Sequence, residues 1–211
     1  MKKGLIAILI CALISMAIAS EAIAPELVIS KPEVFIKDKF LATSFKIQNL
    51  LGEKEIKTIN SGFTTTIRIK IELWEKGKVF HDLKTTLEII QEVSYDIWEK
   101  IYTLRINKGN IVEFNNLKDL RETLAREETV SITPLQKLDS KKKYFVRVYV
   151  DVESINKKEM EEISARINGD SQGFINIREI FALLIKHRTK GIKSYAQSDY
   201  FRPDRLKVGN W

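Results

Sequence analysis

One cysteine, Cys11, is present in 211 residues, and it falls inside an apolar N-terminal run. A chain that loses this run has no disulfide, no thiol catalysis and no cysteine metal cluster. There are two histidines, His81 and His187, and their spacing supports no two-histidine zinc site. No G-x-S-x-G elbow accompanies them, so a nucleophile–histidine–carboxylate triad has no visible frame. Both histidines are expected to be structural, His81-Asp82 on a strand and His187 at a helix end. No phosphate-cradling glycine loop occurs, and after the N-terminal run there are no repeats or low-complexity tracts. Charge of one sign is not concentrated. The net +7 comes from interspersed charges of both signs, which argues against a nucleic-acid partner. Beyond the N-terminus, no apolar run approaches the about 20 residues that a spanning helix needs.

What is present begins with an export pattern. Lys2 and Lys3 precede an uncharged run from Leu5 to Ile18, and Ala17-Ile18-Ala19 has the small-x-small form of a cleavage site. Residues 1–19 are expected to be a signal peptide, cut before Ser20; an uncleaved membrane anchor is the alternative. Cleavage removes two lysines and takes the net charge from +7 to +5. The expected location is periplasmic or otherwise extracytoplasmic.

Period-two alternation dominates the rest. In FTTTIRIKIELWEKGKVF, Phe63, Thr65, Ile67, Ile69, Ile71 and Leu73 share one face, and Thr64, Thr66, Arg68, Lys70 and Glu72 the other. Glu75 to Lys78, around Gly77, predicts a hairpin turn, with the chain resuming from Val79 toward Ile90. Leu41, Thr43, Phe45 and Ile47 mark another strand, preceded by an Asp38-Lys39 turn and the run Val34-Phe35-Ile36. Pro32 places the first strand at an edge or breaks it. Trp98, Tyr102, Leu104 and Ile106 predict a strand before a Lys108-Gly109-Asn110 turn. Tyr144, Val146, Val148, Val150 and Val152 predict a further one-sided strand. Helices are expected over 51–60, stopped at Gly62, and in NLKDLRETLAR with Asn116 as cap. The order argues for a mainly β fold, an antiparallel β-sandwich with short helices and a C-terminal helix–loop–helix insert. Residues 20–211 read as a single exported β-rich domain, with the insert at 156–191.

The segments FTTTIRIKIELWEKGKVF, SYDIWEKIYTL, LKDLRETL, KKKYFVRVYVDV and SYAQSDYF, behind a signal segment, carry a likeness. Together the chain resembles an exported bacterial family catalogued as Domain of Unknown Function 4390, over about residues 27–155 and 194–201. Residues 156–191 are the main departure. The resemblance implies an envelope-facing β-rich domain and transfers no catalytic residues. It also implies a link to a membrane sensor kinase, near which members are encoded.

Within the insert, NGDSQGFINIRE follows the twelve positions of an EF-hand loop. Such a loop takes oxygen ligands at positions 1, 3, 5, 7, 9 and 12, with glycine at 6. Asn168, Asp170, Gln172, Phe174 (through its carbonyl), Asn176 and Glu179 fill those positions, and Gly173 sits at the sixth. Only Asp170 and Glu179 bring charge, so any calcium affinity is weak, in the class of extracellular modules. Capping boxes at Asn156/Glu159 and Asn176/Glu179, with Gly169 between, explain most of the same residues as a plain helical turn. No other cofactor is expected. Trp74, with Arg68 and Lys70 on the polar side of its strand, marks a candidate binding face. The expected role is a non-enzymatic module that binds a protein or envelope component, using that face and the helix pair. Weak calcium binding at 168–179 is the alternative.

Overall fold

The computed structural model describes residues 26–154 and 192–209. The expected signal segment, the expected helical insert with all six calcium candidates, and His187 lie outside the described residues.

The described chain is mainly β. A six-stranded antiparallel sheet has the order β11-β10-β5-β6-β7-β8. Its central strands are β5 (Thr65–Glu75), β6 (Asp82–Asp96) and β10 (Tyr144–Ser154). β7 (Ile101–Ile106) and β8 (Ile111–Phe114) form one side, and β11 (Ile192–Gln197) the other. A three-stranded sheet joins β2 (Glu33–Lys37), β3 (Phe40–Phe45) and β9 (Glu128–Pro134), and β1 (Val28–Ile29) pairs with β4 (Ile47–Gln48). Two α-helices, α1 (Glu53–Asn60) and α2 (Leu117–Leu124), and two single-turn 3-10 helices, Leu135–Lys137 and Pro203–Arg205, complete the described elements.

The alternation along β5 is realised: Ile67, Ile69, Ile71 and Leu73 are buried, and so are Val146, Val148, Val150 and Val152 on the paired β10. These two rows form the floor of one core, which also takes in Leu41, Phe45 and Ile132 of the smaller sheet. Ile59 of α1 and Leu120 and Leu124 of α2 close it. Each such side chain contributes about 1.5–3 kcal/mol by leaving water. The result is an antiparallel sandwich whose sheets stay open rather than closing on themselves.

Local chemistry sets the connections. Asp38 and Lys39 both adopt positive φ (50° and 67°), which matches a two-residue hairpin turn to the strand twist. Pro32 falls between β1 and β2, where it interrupts no ladder. Asn116 caps α2, its Oδ1 accepting from the Asp119 N–H at 2.9 Å. α1 ends before Gly62, whose φ of +84° is costly for any residue with a Cβ.

Three expectations need correction. Trp98 is not on a strand: Asp96 Oδ1 accepts from the N–H groups of Trp98 and Glu99, the chain turns, and Trp98 is left 91% exposed. The N–H···carboxylate bonds of this turn outcompete extension. His81 is not on the second strand of the hairpin either. β6 begins at Asp82, because residues 76–81 fold as a longer loop against the 139–143 connection. Ile47 does not continue the strand of Leu41, Thr43 and Phe45: β3 ends at Phe45, and Ile47 lies on β4, paired with Ile29 of β1.

Candidate binding face

The face of the six-stranded sheet turned away from the core is built from the alternate residues of β5 and β10. Strand register sets these residues side by side. Phe145 faces Trp74, Arg147 faces Glu72, Tyr149 faces Lys70 and Asp151 faces Arg68. On the flank, β11 sets Gln197 beside Arg147 and Tyr195 beside Tyr149.

Phe145 is fully buried although it points away from the core. Trp74 stacks parallel to it, with ring centroids 6.4 Å apart. His81 and Tyr200 meet its ring edge-on at 5.0 and 5.2 Å. The Arg147 guanidinium lies 5.0 Å from the Phe145 ring and 5.6 Å from that of Trp74, and its Nε donates to Gln197 at 2.8 Å. These contacts form an aromatic shelf on a cationic clamp.

Beside the shelf, Glu72 is nearly buried. Its carboxylate takes a 2.7 Å ion pair from Lys70 and a 2.9 Å hydrogen bond from Trp74 Nε1. Burial pushes its carboxyl up, but the bonds from Lys70 and Trp74 outweigh that and hold it below the usual carboxylate value. Lys70 is correspondingly raised, mainly by Glu72, and lies 4.8 Å over the Tyr149 ring. Farther along, Arg68 reaches Glu88 and Glu153, and Lys193 reaches Asp151. Tyr195 remains 67% exposed at the rim.

The sequence places Trp74, Arg68 and Lys70 on the polar side of β5, and they lie there in the structure. Sequence reasoning missed Phe145, Arg147, Tyr195 and Tyr200 as their companions. The signal was present in the odd positions of KKKYFVRVYVDV, where Phe145, Arg147 and Tyr149 alternate with buried residues. His81 packs between aromatic rings, and Asp82 pairs instead with Lys84. Among the described residues no three His, Cys, Asp or Glu side chains converge as a metal site. None of the described helices is long and apolar enough to cross a membrane.

The pattern of a protein family described as Domain of unknown function (DUF4390) matches residues 24–155. The chain belongs to that family. The DUF4390 match takes in the strands through β10, and with them Trp74, Phe145 and Arg147. Tyr195 and Tyr200, which finish the shelf, lie beyond it. No curated protein and no solved structure matches the chain.

One further feature borders this face. β7 pairs with β6 only over Gln91–Asp96, so among the described residues the outer edge of β6 from Asp82 to Glu88 has no neighbouring strand. Asn107 closes the open edge at Ile90, donating from its N–H to the Ile90 carbonyl and accepting from the Ile90 N–H at its Oδ1. By alternation, the backbone groups of Thr86 and Glu88 also point outward.

Proposed function

We propose that this chain is an extracytoplasmic, non-enzymatic binding module that holds a protein or another envelope component on the outer face of its six-stranded sheet. The observation that supports this reading is the shelf of Trp74, Phe145 and Tyr200 clamped by Arg147, with Tyr149 and Tyr195 continuing it. Aromatic residues and arginine are the types enriched where protein interfaces concentrate their energy. The export half of the reading rests on the N-terminal Lys2-Lys3, apolar run and Ala17-Ile18-Ala19 pattern. The family resemblance makes a membrane sensor kinase the first partner to test.

Photo-crosslinking from Tyr195, with the probe at Lys108 as control, tests the reading in cells. A discrete adduct from position 195 that weakens in Arg147→Ala is expected. Equal adducts from both positions, or none, would count against it. Protease added outside the inner membrane should reach the chain; full protection would overturn export.

A second reading, weak calcium binding at 168–179, is favoured by the six ligand types and by Gly173 in the sequence alone. Millimolar calcium should raise the melting temperature, and Glu179→Gln should abolish that response. An unresponsive wild-type chain sinks this reading.

A further inference from the structure

The β5–β6 connection, Lys76 to His81, ends in two apolar side chains that almost nothing covers. Val79 is 80% and Phe80 85% exposed. The loop is nonetheless held in place. A Cβ on Gly77 would lie 1.8 Å from the Phe80 carbonyl oxygen, so the chain folds back directly over a glycine. Lys76 N–H donates to the Lys143 carbonyl at 2.8 Å, tying the loop to the β9–β10 connection. The Lys76 ammonium sits 4.4 Å over the Tyr200 ring. Leu83 and Tyr200, both nearly half exposed, extend the apolar surface from the tip.

Charge around this tip is unbalanced. Glu75 and Asp82 are taken up by Lys84 and Lys142. The ammonium groups of Lys76, Lys78, Lys141 and Lys143 make no ion pair among the described residues. An apolar tip with Lys76 and Lys78 in its own loop, and Lys141 and Lys143 on the connection bonded to that loop, is complementary to a surface with anionic headgroups over hydrocarbon.

The opposite end of β6 supplies a contrast within the same molecule. The turn after Asp96 also exposes apolar side chains, Ile97 at 53% and Trp98 at 91%. Its neighbours along the chain are Asp96, Glu99 and a single lysine, Lys100.

We propose that the Lys76–His81 loop is a docking tip for an anionic phospholipid surface, with Val79 and Phe80 entering the headgroup region and Lys76, Lys78, Lys141 and Lys143 meeting phosphate. The tip adjoins the shelf, sharing Tyr200 and His81 with it, but takes a different partner. It orients the domain at a bilayer whether or not the N-terminal run is retained.

The test uses the full chain in a Cys11→Ser background, with an environment-sensitive fluorophore on Val79→Cys or, as control, on Ile97→Cys. Position-specific probes are needed because the N-terminal run can itself bring the chain to vesicles. Vesicles of phosphatidylcholine are compared with vesicles containing about one third phosphatidylglycerol. The expected result is blue-shifted, brighter emission from position 79 on the anionic vesicles only. Phe80→Ser, Lys78→Glu/Lys143→Glu, or salt near about 0.5 M should each cut that response by more than about half. The variants alter exposed residues, and their circular dichroism should stay that of the parent. No response at position 79, an equal response at position 97, or an equal response on neutral vesicles overturns the proposal.

Discussion

Phe145→Ala is the sharpest single test of the outer face. Phe145 has no exposed area, yet it lies outside the main core and is covered by Trp74, His81, Tyr200 and Arg147. Removing a buried phenylalanine typically costs about 3–5 kcal/mol, lost transfer energy plus an unfilled cavity. Here the lid is one layer of side chains, with Trp74 half-buried and His81 exposed, so partial collapse is easier than in the main core. About 3 kcal/mol is the expected cost. For a chain of this size that corresponds to a fall in melting temperature of about 6–12 °C. Urea unfolding followed by circular dichroism and by tryptophan fluorescence measures it, with an unchanged denaturant slope expected. A Phe145/Tyr200 double-mutant cycle should show coupling of about 0.5–1.5 kcal/mol, as edge-on aromatic pairs do. A loss below about 1 kcal/mol, typical of surface substitutions, would mean that the shelf is not packed and the argument from it fails.

Three other outcomes follow from particular contacts. Asn116→Ala removes the α2 cap and should cost about 1 kcal/mol by denaturant midpoint, while Asn116→Ser, which keeps an accepting oxygen, should cost less; Asn116→Asp should not rescue it, because the Asn116 amide donates to the Asp119 carboxylate. Glu72 has a folded-state pKa below its usual value of 4.5, so its contribution is present above that value and fades as pH falls through the lowered one. Glu72→Gln should therefore destabilise at neutral pH and flatten the loss of stability below about pH 4; an unchanged acid limb would contradict the Lys70 and Trp74 bonding. On the open edge of β6, the amides of Thr86 and Glu88 should exchange with solvent far faster than those of Thr85 and Leu87, whose N–H groups face β5. Equal protection across Thr85 to Glu88 would show that something already covers that edge.

Much of the fold was legible because much of it is local or periodic. The β5 and β10 alternation follows from one face being buried, and sequence displays that directly. The Asn116 cap and the Gly62 stop depend on residues within one turn of each other. β6 was harder to read. Its inward residues Thr85, Leu87 and Ile89 are only partly buried, on the half of the strand that β7 does not pair with, and Thr85 breaks the apolar row. Trp98 misled for the opposite reason. A large aromatic reads as core, but Asp96 accepts from the N–H groups of Trp98 and Glu99 and the chain turns outward.

The candidate site shows where periodicity stops being informative. Alternation assigns Phe145 to the solvent side because Tyr144 and Val146 are inward, and that orientation is correct. Its burial comes from elsewhere: from a loop that brings His81 over the sheet edge, and from Tyr200 in the chain after β11. Neither is near Phe145 in sequence, so no window along the chain contains the cluster. A solvent-side aromatic between lysines and an arginine, as in KKKYFVRV, is therefore worth treating as a question about tertiary cover. In this chain the cover is itself aromatic and cationic, which leaves the sheet with a second apolar surface, small and rimmed by charge, in the place where an interface would concentrate its binding energy.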